Sequence, residues 1–497
     1  MDSMNKLSAI RKSGGNNLTT GLPDATIEAF FQRDPLLVQA IEEAYVRYLG
    51  IEAEAPELLK LDERTQMTEV QQDFVNFYAE DAVNPYVPLA ARGPWIVTSK
   101  GAVVHDNGGY GMLGLGHAPQ HILDSMDRPH VMANVMTPSF THFKLARALK
   151  QEIGHRRGEC PFPRFVCLNS GSEAVTVAAR FSDISAKILT DPGGRYEGKT
   201  VKVLALKGGF HGRTDRPARF SDSSHEDYQR YLQTFRGPRI LVTVEPNNIT
   251  QLREVFEQAD RDNVFFEAFF MEPVMGEGNP GMAIEPEFYA VARELTKERK
   301  TLLLVDSIQA GLRTHGCLSI VDYPGFENLP APDMETFSKA LNAGQFPLSV
   351  LALTEETAQL YKKGVYGNTM TTNPRGMDVA CAVLASLTPE LRANIVQRGI
   401  EFKQKLGVLK DELGGLITKV QGTGLLVSCE LDKSFKVYGA GSVEEYMRRN
   451  GVGVIHGGKH SIRYTPHFAI TSAEIDLIVD ATKAALLHEP KLVAAGV

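Results

Sequence analysis

The sequence predicts an α/β protein: a large domain on a mostly parallel, doubly wound sheet, and a smaller α+β domain. Three observations lead there. From about residue 120 to 375, short β-rich runs alternate with helix-length stretches, and strands separated in this way pair in parallel. Two helical patterns and a hairpin precede that region, while long helices, a few strands and a last helix follow it. The chain has 497 residues, which suits two or three compact units at roughly 100–200 residues per domain. Its 43% hydrophobic and 23% charged residues exclude wholesale disorder.

Residues 1–21 are polar and rich in Gly, Asn, Ser and Thr, and read as a loose arm. They carry Lys6, Arg11 and Lys12 but no apolar core, so they do not read as a signal peptide. In 24–49, Ile27, Phe30, Phe31, Leu36, Leu37, Ile41 and Tyr45 recur at helical spacing, and 57–78 repeats this less cleanly. Residues 95–99 and 102–106 form a hairpin through Lys100-Gly101. The β-rich runs of the middle are 165–168, 201–206, 239–244, 269–272, 301–306 and 346–354, with another ending before Lys339. After Pro374, helical patterns reach Gly414, strands flank Gly422-Thr423-Gly424, and the last helix opens on Thr471-Ser472-Ala473-Glu474, which has capping-box spacing. The domain boundaries are then 1–119 (arm, helices and hairpin joining the small domain), 120–375 (large domain) and 376–497 (small domain).

Lys+Arg 53 against Asp+Glu 60 gives a net charge of −7, which argues against nucleic acid or an anionic membrane as the main partner. The longest aliphatic run is Leu302-Leu303-Leu304-Val305, so no segment reads as membrane-spanning. Five cysteines without a CxxC pair imply free, mostly buried thiols in a reducing, cytoplasmic setting, and no metal site is expected.

In a doubly wound sheet, ligands sit beyond the carboxyl ends of the strands. Asn169-Ser170-Gly171-Ser172-Glu173 follows one strand and enters an amphipathic helix. Small residues and a helix N-terminus make a phosphate cup there, and a plain Ser cap with a first-turn Glu is the competing reading. Gly109-Tyr110-Gly111-Met112-Leu113-Gly114 matches a dinucleotide fingerprint in letters alone. No strand–helix–strand unit follows it, so it reads as a glycine-rich bend. The run 301–306 is apolar up to Asp306, and a buried carboxylate needs a cation or several donors; an Asp capping a strand end is also a common structural feature. Lys339, before the turn 340–344, can be held where its amine becomes nucleophilic, although most lysines are surface groups.

Taken together, these motifs resemble the class III (ornithine/acetylornithine/GABA-type) pyridoxal-phosphate aminotransferases, over about residues 85–490. The matching stretches are Asn169–Ala174, Gly209-Phe210-His211-Gly212-Arg213-Thr214, Glu272-Pro273-Val274-Met275-Gly276-Glu277-Gly278, Asp306-Ser307-Ile308-Gln309-Ala310-Gly311, Ser338-Lys339-Ala340-Leu341, Thr369–Pro374 and Leu113-Gly114-Leu115-Gly116-His117-Ala118-Pro119. The resemblance implies fold type I, pyridoxal 5'-phosphate as cofactor and a homodimer. By position, Lys339 bonds the cofactor and moves a proton, and Asp306 holds the ring nitrogen. Phe210 and Ile308 sandwich the ring beside His211, Gln309 reaches the phenolic oxygen, and Ser170, Gly171 and Ser172 take the phosphate. Thr369 reaches the phosphate across a dimer interface. Arg463 matches the arginine that grips an α-carboxylate. Arg213 matches one that holds the carboxylate of a donor entering by its distal amine, and Glu277 stands where the family keeps a carboxylate that neutralises Arg463. Departures are Ser307 and Ala310 for Glu and Thr, Leu312–Gly316 for F-G-R-T-G, and Thr371-Thr372 for a glycine pair.

The resemblance implies transfer of the terminal amine of a diamino or ω-amino acid to 2-oxoglutarate. Stretches 137–149 and 208–214 are similar to those of lysine 6-aminotransferases, so ornithine- or lysine-like donors are expected. Racemases, aminomutases and decarboxylases share the fold and motifs and are the alternative, as is transamination of a different amine; retention of Lys339 and Asp306 argues against a non-enzymatic scaffold.

Overall fold

The computed structural model describes residues 2–131 and 135–488, so the last nine residues of the sequence-assigned small domain lie outside the described residues. In chain order the elements begin with α1 (Ser3–Arg11), α2 (Asp24–Phe31), α3 (Pro35–Glu54), α4 (Pro56–Lys60), α5 (Glu63–Gln71), β1 (Pro88–Arg92), β2 (Trp95–Thr98) and β3 (Val103–Asp106). Then come α6 (Gln120–Met126), α7 (Phe140–Glu152), β4 (Arg164–Leu168), α8 (Gly171–Thr190), β5 (Thr200–Leu206), α9 (Asp215–Phe220), α10 (His225–Tyr231), β6 (Leu241–Val244), α11 (Ile249–Arg261) and β7 (Val264–Met271). They continue with α12 (Pro286–Glu298), β8 (Leu302–Asp306), β9 (Met334–Phe337), β10 (Ser349–Leu353), α13 (Glu355–Gln359), α14 (Pro374–Ala385), α15 (Pro389–Glu412), β11 (Ile417–Thr423) and β12 (Leu426–Leu431). The chain closes with α16 (Val443–Arg449), β13 (Val452–Gly453), β14 (Ile455–Gly457), β15 (Ser461–Tyr464) and α17 (Ser472–His488).

Contacts divide the chain into two units. Unit 1 holds Met1–Gln120, Arg398–Gln421 and Val427–Val497; unit 2 holds His121–Gln397 and Gly422–Leu426. Residues 376–397 thus fall with the large unit, where the sequence boundaries put them in the small one.

Unit 2 carries a seven-stranded sheet in the order β4-β10-β9-β8-β7-β5-β6. β10 runs antiparallel to both its neighbours, and the pairs from β9 to β6 are parallel. Strands covered on both faces read as continuous apolar runs, and all eight residues of β7 are buried. Helix α8 lays Ala174, Val175, Ala178 and Phe181 into the core formed with Leu168, Phe270, Leu304 and Leu351. The parallel strands all deliver their carboxyl ends to one edge, and the candidate residues follow there.

Unit 1 has two four-stranded sheets, β1-β2-β3-β13 and β11-β12-β15-β14. The N-terminal hairpin is completed by a C-terminal strand, since β13 pairs in parallel with β3. Three readings need correction here. Residues 1–21 are not a loose arm: Asp2 caps α1 by accepting from Asn5 N–H, and Leu7 and Ile10 bury one face. The buried Lys100 ammonium donates to the carbonyls of Gly14, Leu59 and Leu61 at 2.6–2.8 Å, which holds the arm down. The pattern at 24–49 is two helices, because Asp34 accepts from Leu36 N–H (2.9 Å) and Pro35 starts a new helix. All five thiols are free, but only Cys317 and Cys429 are buried. The capping box of α17 is formed: Glu474 accepts from Thr471 N–H (2.7 Å) and Thr471 Oγ1 accepts from Glu474 N–H (3.3 Å). Among the described residues no single helix is long and apolar enough to cross a membrane.

Candidate active site

Asp306 ends β8 and is buried at 4% exposure. Its Oδ2 lies 2.9 Å from His211 Nδ1, and its Oδ1 accepts from Thr336 Oγ1 (3.1 Å) and Ile308 N–H (3.2 Å). An ionised carboxylate offers about four acceptor positions, so one more donor can be taken. His211 is fully buried and its Nε2 has no partner.

Glu272 follows β7 in the same manner as Asp306 ends β8. Its two oxygens accept from Phe210 N–H (2.9 Å) and Gly276 N–H (2.8 Å), which ties the Phe210 loop to the 273–278 loop. Burial pushes its carboxyl up to about 7, helped by Asp306 and opposed by His211 and the two N–H donors. The two loops touch: a Cβ on Gly278 would lie 1.9 Å from the Gly208 carbonyl oxygen.

At the start of α8, Ser170 Oγ accepts from Glu173 N–H (3.2 Å) while the Glu173 carboxylate reaches back to Asn169 N–H (2.7 Å). The cap reading and the cup reading therefore coexist, because the cap leaves the N–H groups of Gly171 and Ser172 to an anion. Two glycines shape this corner. A Cβ on Gly171 would come within 2.8 Å of Ile308 Cδ1, and one on Gly212, at φ +115°, within 2.4 Å of Ser172 Oγ. Gln309 is buried, its Nε2 has no partner, and its Oε1 sits where a side chain on Gly276 would clash at 1.9 Å.

Lys339 is half-buried and begins a 3-10 turn three residues beyond Thr336, the β9 partner of Asp306. Its φ of +43° lies in the left-handed region, which costs a side chain free energy and is held by surrounding structure. Arg213 is exposed, with its guanidinium carbon 5.4 Å from the Phe210 ring centroid. Glu277 lies 3.6 Å from Arg213, whereas the sequence reading pairs it with Arg463. The cause is the Glu272 brace, which holds the loops bearing Arg213 and Glu277 side by side. Thr369 is exposed; its carbonyl accepts from Val135 N–H (3.3 Å), and its neighbour Asn368 donates to Glu173 (2.8 Å).

Unit 2 therefore brings together Ser170, Gly171, Ser172, Phe210, His211, Arg213, Glu277, Asp306, Ile308 and Gln309. Arg463 belongs to unit 1, buried on β15 with its guanidinium 5.8 Å from the Tyr110 ring centroid. The Gly109–Gly114 stretch is a bend in that unit, with Gly111 at φ +83° and no helix before Gln120. Of the departures, Ser307 donates to Glu335 (2.6 Å), and Thr372 keeps a left-handed φ of +60° where the family has glycine. Sequence reasoning assigned nothing to Glu272, although an apolar strand delivering a carboxylate, the signal used for Asp306, is present there too.

A pyridoxal phosphate fits this edge on three counts: the N–H groups of the glycine-shaped α8 start, the open acceptor position on Asp306 and the unpartnered Gln309 amide. A family model described as aminotransferase class-III matches residues 77–486. An ornithine aminotransferase of Staphylococcus epidermidis is 27% identical over 421 residues, covering 83% of this chain and 98% of that protein. One from an Exiguobacterium species is 28% identical, covering 81% and 93%. Among solved structures, ornithine aminotransferase from Toxoplasma gondii superposes with a TM-score of 0.72 at 22% identity, covering 88% of this chain and 98% of that one. Acetylornithine aminotransferase from Elizabethkingia anophelis gives 0.68 at 22%, covering 86% and 99%.

Proposed function

Because the chain belongs to the class-III aminotransferases, a pyridoxal-phosphate-dependent family, we propose that it moves the terminal amine of a diamino or ω-amino acid to 2-oxoglutarate. Ornithine- and lysine-like donors fit best. The observation that carries this reading is the exposed Arg213 guanidinium beside Phe210, a site for a carboxylate at the far end of a donor. The curated relatives named as ornithine aminotransferases support it.

The cofactor, when bound, supplies a cationic ring that accepts the electron pair released when a C–H bond beside nitrogen breaks. The chain's residues take the remaining roles. Lys339 holds the cofactor and moves the proton. Asp306, oriented by His211 and Thr336, places negative charge at the ring nitrogen. Phe210 and Ile308 wall the ring, Gln309 donates its amide to the phenolic oxygen, and Ser170, Gly171 and Ser172 bind the phosphate. The carboxylate of the donor binds Arg213 and displaces Glu277 from it, and Arg463 grips the α-carboxylate of the keto acid. Thr369 acts on the phosphate of a second copy in a homodimer. The free thiols suit a reducing cytoplasm.

The test is a panel of amino donors with 2-oxoglutarate, scored by glutamate formed. Ornithine, lysine and 5-aminopentanoate should be preferred over α-amino acids lacking a second amine. Turnover without consumption of a keto acid would instead mean a racemase or aminomutase.

A further inference from the structure

The segment between the Phe210 loop and β6 is built onto the loop that carries Arg213. Ser221 Oγ accepts from His211 N–H (2.9 Å) and donates to the Gly212 carbonyl (2.9 Å), and Asp222 accepts from Gly208 N–H (2.7 Å). Helix α10 is thereby fixed relative to Arg213. On it stands Tyr228, whose ring packs against Phe235 with centroids 5.3 Å apart. Its hydroxyl is buried, and the side chains beside it that can share a hydrogen bond with it are Ser224 and Arg213. The two charged side chains acting on that hydroxyl are Arg213 and Glu277, the pair 3.6 Å apart. Burial holds the phenol above its ordinary value, so it remains a donor.

We propose that Tyr228 is a substrate-binding residue: its hydroxyl and the Arg213 guanidinium together form the subsite for the carboxylate of the amino donor. The inference rests on the reading of Arg213 given above. A carboxylate arriving there takes the guanidinium from Glu277 and accepts from the buried hydroxyl in the same step. The guanidinium is a cation with donors only and the phenol keeps a proton to donate at neutral pH, so the subsite favours an anionic end group over an uncharged one.

The experiment mixes the holoenzyme with 5-aminopentanoate or with pentylamine, without acceptor, and follows the cofactor absorbance. Tyr228→Phe keeps the ring against Phe235. It should raise the half-saturating concentration of 5-aminopentanoate about tenfold, as expected for losing a hydrogen bond to a charged group. The limiting rate and the response to pentylamine should stay unchanged. An equal loss for both amines, or no change, overturns the assignment. Arg213→Gln run alongside separates the two levels. If it abolishes the preference for the carboxylate and Tyr228→Phe does not, only the Tyr228 assignment falls; if it leaves the preference intact, the reading of Arg213 falls as well.

Discussion

Asp306 meets three groups of its own chain, and together they fix the orientation of its carboxyl group at the end of a buried strand. Its strand partner leads three residues later to Lys339, so the proposed proton carrier and the charge at the ring nitrogen hang on adjacent strands. Lys339→Ala should lose turnover by at least about a thousandfold, the scale of a general acid–base contribution. Borohydride reduction of the holoenzyme followed by peptide mapping should mark Lys339, and a mark on another lysine removes the assignment. Glu277 separates two accounts of specificity. If it guards Arg463, as the family resemblance implies, Glu277→Ala raises α-amine over ω-amine chemistry on the same donor. The observed neighbour is Arg213, and on that pairing the variant frees the guanidinium and lowers the half-saturating concentration of ω-amino acids several-fold. The ion pair is about 43% and 29% exposed on its two sides, and such pairs contribute only about 0–1 kcal/mol, so a modest change is expected. Half-reaction titrations with ornithine, read out by which aldehyde or keto acid forms, decide between the two.

At the scale of elements, the segment from Ser307 to Ile320 shows how a departure from the family pattern is absorbed. Ser307 donates to the buried Glu335 of β9 (2.6 Å), which also accepts from Ser319 Oγ and from Ile320 N–H (2.9 Å). The carboxylate that the family carries after Asp306 is absent, and one from the neighbouring strand binds this loop instead. Burial pushes the Glu335 carboxyl up to about 7 against those three donors. A folded value above the unfolded one of 4.5 means that the folded chain keeps a proton the unfolded chain has released. Stability therefore falls as pH rises from about 4.5 to about 7, by about 3 kcal/mol for this group, and is flat outside that window. Glu335→Gln cannot titrate. The wild-type urea midpoint should fall relative to that of Glu335→Gln as pH rises across that window, and parallel lines would show that Glu335 does not titrate there. Elements of this kind mark the limit of the sequence reading. Strands β4 to β10 and the placement of Ser170, Phe210 and Asp306 at or just beyond their ends were legible because apolar runs, turn residues and motif spacing are local signals. Glu335, Glu272 and the pairing of His211 with Asp306 were not, because they join positions 28 to 95 residues apart through sheet register. The arm at 1–21 was misread for the same reason: Lys100, which secures it, is 86 residues from Gly14.

At the scale of the whole molecule, several exposed apolar side chains of unit 2 lie in the stretch 131–143 and in the Thr369 loop. Phe140 is 89% exposed, Met136 87%, Val131 65%, Phe143 63% and Met370 56%, and the hydrogen bond from Val135 N–H to the Thr369 carbonyl joins the two stretches. Soluble monomers rarely leave large apolar patches open, and the occupant we propose is a second copy of the chain, which would also give Thr369 its proposed role. A closed two-fold dimer would make each site composite, with Lys339 from one chain and Thr369 from the other. Replacing Phe140 and Phe143 by Asp should then yield a monomer by sedimentation, with the cofactor lost on dilution. Complementation tests the composite site more sharply. Lys339→Ala lacks the proton carrier in both sites, and Thr369→Ala weakens phosphate binding in both. Mixed dimers of the two variants contain one site with both defects and one with neither. Random exchange makes half the dimers mixed, so about a quarter of the wild-type sites should return, visible as activity and as cofactor absorbance at low cofactor concentration. If Thr369 served its own chain, every site in the mixture would carry one defect, and mixing would restore nothing.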